Sequence, residues 1–364
     1  MADDSEALLE AIVGMLSPLL QALQALEFAA RNLHPPRLRE LVDAIADRDV
    51  ELREGLAAFR AADWPEHLAD FRDQVEGAAD AVIQAFDGLR AAPDDPNAAI
   101  AAYRALRHYA RAAETLYPLA RLFRPVSQFF LENAARHDED KIDRLAADAR
   151  PGIRTGVLHG NNDPGQRGGF SVYVPEDYDG MRPVPLVMAL HGGSGHGRGF
   201  LWTWLREART RGPILVSPTA TGSTWSLMEP EVDSQHLERV LGLVRERWNV
   251  DTSRLLLTGM SDGGTFAYVS GLQSSSPFTH LAPISASFHP MLLSFMDPVR
   301  LIGLPIHIVH GALDWMFPAE MARGAEAALK AAGAEVTYRE VADLSHTYPR
   351  EMNAAILDWF LRRD

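Results

Sequence analysis

Three residue types able to cooperate in nucleophilic chemistry occur along the chain in the order serine, acid, histidine. They are Ser261 in Gly259-Met260-Ser261-Asp262-Gly263, Asp314 in His310-Gly311-Ala312-Leu313-Asp314, and His346 in Asp343-Leu344-Ser345-His346-Thr347. A free hydroxyl is almost wholly protonated near neutral pH, so Ser261 needs a base, and the base needs an acid to orient it. His346 is the candidate base and Asp314 the candidate acid. Asp343, three residues before the histidine, competes for the acid role, but Asp314 directly follows an apolar run of strand length. The chemistry this set would perform is acyl transfer through a covalent serine intermediate. The oxyanion formed on the way requires two backbone donors. One is expected at Asp262, immediately after the nucleophile.

Each of these residues needs an element to hold it. Residues 254–258 form a short apolar run, and residues 264–269 can continue as a packed helix, so Ser261 falls at a strand-turn-helix junction. Glycines on both sides let strand and helix approach there, and the start of the helix favours a nearby negative charge. Strand-like runs are read at 170–174, 185–190, 214–217, 281–286, 306–310 and 336–341. Helices are read at 205–211, 236–248, 319–332 and 350–361. Strands alternating with helices imply a mainly parallel sheet covered on both faces, with its active site at the carboxyl ends of the strands. The glycine loop at 191–195 directly follows one strand, Asp314 another, and His346 lies between the last strand and the last helix.

Taken together, Leu190-His191-Gly192-Gly193, Gly259-Met260-Ser261-Asp262-Gly263-Gly264, the His310 to Asp314 motif and Ser345-His346 make residues 170–361 resemble an α/β-hydrolase of the phospholipase/carboxylesterase kind. The segment is also similar to polyhydroxybutyrate depolymerase-like esterases. The resemblance implies the α/β-hydrolase fold and a cofactor-free carboxylic ester hydrolase. The glycine loop His191-Gly192-Gly193-Ser194-Gly195 resembles the HGG oxyanion loops of esterases, which implies Gly193 as the second backbone donor, and departs from the HGGG of lipase-type esterases by reading His-Gly-Gly-Ser-Gly. Strand-end loops supply an expected pocket of Trp225, Phe288, His289, Trp315, Met316 and Phe317, aromatic and mostly neutral, suited to a small or medium uncharged ester. His191 and His196 have no third partner at metal-ligand spacing, so no metal is expected.

The first 135 or so residues read differently. Apolar positions at Leu9, Ile12, Val13, Leu16, Leu20, Leu23 and Leu26 keep helical spacing, and further amphipathic helices follow, broken at Pro35-Pro36, Trp64-Pro65, Pro93 to Pro96 and Pro125. The expected division is an all-helical domain over residues 1–150, serving as a cap, a dimerisation surface or a docking module, and a catalytic domain over 151–364. Net charge is −14, with 27 acidic against 17 basic residues up to Arg150 and 22 against 18 beyond, which argues against a nucleic-acid surface. There are no cysteines, which removes disulfides and thiolate chemistry. The acidic N-terminus and the shortness of the apolar run at 11–20 lead to the expectation of a soluble, cytoplasmic protein with no membrane span, acting on a small-molecule ester and self-associating, if at all, through its helices.

Overall fold

The computed structural model describes residues 2–147 and 150–362. The outermost and junction residues of the expected two-domain division (1, 148–149 and 363–364) lie outside them. The chain separates into two compact units, Met1–Ile142 and Asp143–Asp364.

The first unit is helical: α1 (Ala2–Asn32), α2 (Leu38–Ala44), α3 (Val50–Ala61), α4 (Ala69–Ala91), α5 (Ala98–Leu116) and α6 (Arg124–Phe129), with α7 (Glu139–Ala146) following. The apolar spacing in the sequence faces one core. Leu19, Leu23 and Leu26 of α1 meet Phe59 of α3 and Val75, Val82 and Phe86 of α4 there, all essentially without exposure. Small residues set the closest approaches. An added Cβ on Gly55 would lie 2.8 Å from the Gly14 carbonyl oxygen, and one on Gly88 would lie 2.8 Å from the Ala105 Cβ. Where the spacing predicts one helix over 38–59 there are two, separated at 45–49. Buried Asp49 accepts from Arg53 Nε at 2.8 Å and from Arg90 Nη1 at 3.0 Å, which ties the start of α3 to the end of α4. Helix α1 is also longer than the apolar run at 11–20 suggests. Gly14, Ser17 and Pro18 lie inside the run without ending the helix, and Glu6–Asn32 is long and apolar enough to cross a membrane by length and composition.

The second unit is built on one eight-stranded sheet: β1 (Gly156–Gly160), β2 (Phe170–Val174), β3 (Val184–Leu190), β4 (Ile214–Pro218), β5 (Val250–Met260), β6 (His280–Ile284), β7 (Pro305–Gly311) and β8 (Glu335–Val341). Its spatial order is β1-β2-β4-β3-β5-β6-β7-β8, with β2 antiparallel to both neighbours and every pair from β4 onward parallel. This is the α/β-hydrolase fold. The parallel strands are buried on both faces and therefore read as continuous apolar runs. One face carries Met188, Leu257, Ile306 and Ile308 against α9 (Pro230–Arg247), α10 (Asp262–Gly271) and α12 (Ala319–Ala331), through Leu237, Val240, Phe266, Ala325 and Leu329. On the other lie α8 (Gly197–Arg211) and α13 (Met352–Phe360), joined where Asn353 Nδ2 donates to the Thr203 carbonyl at 2.9 Å. His280 of β6 and His307 of β7 pack edge-on against Trp359 of α13. A short helix, α11 (Pro298–Leu301), precedes β7.

Candidate active site

Ser261 is the single residue between β5 and α10. Its φ of 56° and ψ of −122° lie outside the regions most side chains adopt, so the turn is strained. The surrounding backbone holds it there. Ser261 N–H donates to the Ile284 carbonyl at 3.0 Å, and its own carbonyl takes the first helical bond from Thr265 N–H at 2.8 Å. The junction is too tight for side chains at its glycines. A Cβ on Gly259 would come within 2.5 Å of the Gly263 backbone, and one on Gly263 within 2.4 Å of the His191 carbonyl oxygen. The end of β3, the end of β5 and the start of α10 therefore meet backbone to backbone.

The acid and the histidine arrive on two neighbouring strand-end loops. Ala312 N–H donates to the Val341 carbonyl and Leu313 N–H to the Leu344 carbonyl, each at 2.9 Å, so the two loops are fastened together before either side chain is considered. Asp314 Oδ1 accepts from Met316 N–H at 2.9 Å and Phe317 N–H at 2.8 Å, leaving Oδ2 to accept from His346 Nδ1 at 2.8 Å. A carboxylate can only accept here, so Nδ1 carries the proton and the neutral ring offers Nε2 as an acceptor. Ser261 Oγ lies 3.0 Å from that nitrogen. Burial alone would push the Asp314 pKa up, but the His346 bond and the two backbone N–H groups outweigh it and hold the carboxyl below its ordinary value. Ser261, Asp314 and His346 are each less than a tenth exposed, whereas Asp343, the competing acid, is exposed.

Asp262 is the first residue of α10, so its backbone N–H has no helical acceptor and stands beside the serine. Gly193 sits inside a turn closed by Gly195 N–H donating to the Gly192 carbonyl at 3.0 Å, and a Cβ added to it would lie 2.8 Å from Asp262 Oδ2. Gly193 thus lies beside the Asp262 side chain. His191 is buried and serves the same turn. Ala220 N–H donates to its Nε2 at 3.1 Å, and its Nδ1 donates to the Gly192 carbonyl at 2.7 Å. Burial lowers the His191 pKa to about 4 even though the Gly192 carbonyl works the other way, so the ring is neutral at working pH. His196 caps α8 by accepting from Arg198 N–H at 3.2 Å.

The expected pocket residues divide. Trp315 and Phe317 stand edge-on to His346 at centroid distances of 6.4 and 5.3 Å, and Met316 beside them is 44% exposed. His289 is exposed and caps the turn that begins at Pro290, accepting from Met291 N–H at 3.2 Å. Trp225 and Phe288 are both buried. Trp225 is 2% exposed, stacks on Phe266, lies against His191 and donates Nε1–H to the His191 carbonyl at 2.7 Å. Phe288 packs edge-on against buried Tyr268. A large ring just after a strand lowers its free energy by turning inward wherever the sheet leaves room for it.

Further side chains support this site. His310 Nε2 donates to the Phe317 carbonyl at 2.8 Å and lies 3.5 Å from Asp314 Oδ2, closing the acid's turn from within β7. Thr224 Oγ1 donates to Asp262 Oδ2 at 2.6 Å. Arg167 Nε donates to the Gly222 carbonyl at 2.6 Å and its Nη1 to the Gly195 carbonyl at 2.7 Å.

Residues 231–362 match the Phospholipase/Carboxylesterase family. A bifunctional acetylxylan esterase/xylanase of Neocallimastix patriciarum is 29% identical over 155 residues, covering 39% of this chain and 21% of that one. A probable feruloyl esterase C of Aspergillus niger is 23% identical over 182 residues, covering 44% of this chain and 65% of that one. The chain therefore spans about a fifth of one relative's length and just under two thirds of the other's. Among solved structures, esterase PE8 superposes with a TM-score of 0.43 at 18% identity over 52% of this chain and 97% of that chain. A fluorophosphonate-binding serine hydrolase of Staphylococcus aureus gives 0.44 at 15% over 57% and 98%. Residues 231–362 thus carry the phospholipase/carboxylesterase pattern.

Proposed function

We propose that the protein is a carboxylic ester hydrolase that works through an acyl-serine intermediate. The observation that carries this reading is the continuous hydrogen-bonded chain from Ser261 Oγ through the His346 ring to Asp314, with the serine on a strained turn at the start of a helix. In this mechanism His346 Nε2 takes the hydroxyl proton as Ser261 Oγ attacks the ester carbonyl. The Asp262 and Gly193 amides receive the oxyanion, and His346 then protonates the departing alcohol. Water repeats the sequence on the acyl-enzyme. Asp314 fixes the tautomer and stabilises the imidazolium.

The acyl group is small to medium and uncharged. Trp315 and Phe317 beside His346 favour an apolar or aromatic group, in keeping with the acetyl and feruloyl esters named for the two relatives. No cofactor enters this mechanism. No catalytic residue is assigned to the helical unit, whose role we take to be access, assembly or docking. We take α1 as a bundle helix rather than a membrane anchor, because Met15, Leu19, Leu23 and Leu26 turn into its unit's core, and we place the protein in the cytoplasm.

Turnover of p-nitrophenyl acetate, butyrate and cinnamate tests the reading, run in water and again with added alcohol or amine. Hydrolysis as the main route in every case is the expected result. Acyl transfer to the acceptor in preference to water would reassign the protein as a transferase with the same three residues.

A further inference from the structure

The turn that carries Gly193 contains glycine at 192, 193 and 195, and its remaining residue, Ser194, sits at a φ of 54°. Such a backbone is soft, yet an oxyanion donor works only if it is already in place when the negative charge develops. The turn's internal bonds, from Gly195 N–H and His191 Nδ1, both end on the Gly192 carbonyl and leave the Gly195 carbonyl outside the turn. Arg167 takes that carbonyl with Nη1 and, with Nε, takes the Gly222 carbonyl on the next loop.

That next loop leads to the other donor. The carboxylate of buried Asp233 accepts from Thr221 N–H at 2.9 Å, Thr221 Oγ1 at 2.9 Å and Ser226 N–H at 2.8 Å, so Gly222 and Thr224 lie in a segment clamped at both ends. Thr224 in turn holds the Asp262 side chain. One guanidinium therefore reaches toward Gly193 through Gly195 and toward Asp262 through Gly222 and Thr224. Arg167 acts from a fixed base. Its neighbour Gly168 donates N–H to the Ala220 carbonyl at 3.2 Å, and Thr219 N–H donates to the Gly169 carbonyl at 2.8 Å. Both Arg167 bonds go to backbone carbonyls rather than to a carboxylate, although burial works against the cation and only Asp233 partly offsets it. The residue lies between β1 and β2, outside the segment that matches the family.

We infer that Arg167 is a positioning residue for the oxyanion hole, a cross-brace that sets the Gly193 and Asp262 amides relative to each other. The inference rests on the ester-hydrolase reading. Lysine cannot replace the brace, since one ammonium on a flexible stem does not hold two separated carbonyls in a fixed plane.

The test compares full-length wild type with Arg167→Lys and Arg167→Met. Rates are expressed per serine titrated by a fluorophosphonate, so that any misfolded fraction drops out. Two readouts are taken: kcat and KM for p-nitrophenyl acetate, and inhibition by an alkyl trifluoromethyl ketone, which adds the serine and places an oxyanion in the hole. Arg167→Met should lower kcat per titrated serine by about 10- to 100-fold with KM within about threefold, and weaken the ketone by the same factor as kcat/KM. Arg167→Lys should recover only part of the loss. If wild type turns over while both variants match it per titrated serine, or lose KM alone with the ketone unaffected, the inference is wrong and the esterase reading stands. If wild type itself neither turns over nor reacts at Ser261, the esterase reading fails and the inference falls with it.

Discussion

Asp314 divides its two carboxylate oxygens between different tasks. Oδ1 is committed to the Met316 and Phe317 amides, which fixes the plane of the group, and Oδ2 is directed at His346 Nδ1. An amide in its place would either lose the acceptor at Nδ1 or present a donor there and impose the wrong tautomer on the ring. Asp314→Asn should therefore lower kcat by about three to four orders of magnitude while leaving KM and the fold nearly unchanged. Steady-state kinetics with a p-nitrophenyl ester, together with a thermal melt, check this, and a loss below tenfold would remove Asp314 from the mechanism. Residue types and their order make this set readable in the sequence, since each of the three sits in a short motif that a strand end can deliver. Trp225 was not readable in the same way. Only the completed sheet shows that its ring fits against Phe266 and that its N–H reaches the His191 carbonyl 34 residues away. Arg167 has the same character, because its partners Gly195 and Gly222 are fixed by packing rather than by local spacing.

At the scale of elements, the loop bearing His346 is braced from the far side of the sheet. Tyr348, two residues on, donates its hydroxyl to Asn353 Oδ1 at 2.7 Å, and Asn353 Nδ2 donates to Glu207 Oε2 of α8 at 3.1 Å. Burial raises the Glu207 pKa to about 7 against the lowering effect of the Asn353 bond. A carboxyl raised in the folded state binds more protons there than in the unfolded chain. Its contribution to stability is therefore complete below its ordinary value near 4.5 and is lost as pH climbs through about 7. Glu207→Gln keeps an acceptor for Asn353 and removes the charge. It should match wild type near pH 4.5 and exceed it above pH 8 by up to about 3 kcal/mol, an order-of-magnitude figure. Denaturant melts at the two pH values measure this, and equal gaps at both would refute it. The amphipathic helices and buried strands were legible through their periodicity. The start of α8 was not, because Gly197, Arg198 and Gly199 look like loop and the helix begins there only under the His196 cap. Nor was β1, a half-exposed edge strand with glycine at both ends, which exists through its ladder to β2.

Across the whole molecule, the change from helical periodicity to alternating strands and helices is the largest feature the sequence displays, while the compact units divide between Ile142 and Asp143 rather than after Arg150. The strand order and the antiparallel β2 were not accessible in the same way, since crossovers are decided by which apolar faces meet, not by any local pattern. Because the sheet is parallel from β4 onward, the ends of β3, β4, β5, β7 and β8 open on one edge. That edge gathers the glycine turn, the Thr224 loop, Ser261, Asp314 and His346 from residues spread over about half the chain. We propose that this gathered edge makes Ser261 a nucleophile. Intact-mass measurement after incubation with a fluorophosphonate, on wild type and on folded Ser261→Ala, tests it most directly. One adduct on wild type, mapped to Ser261, and none on the variant is the expected result, with ester turnover lost alongside it. An adduct that persists in Ser261→Ala, or turnover that survives the substitution, would contradict it.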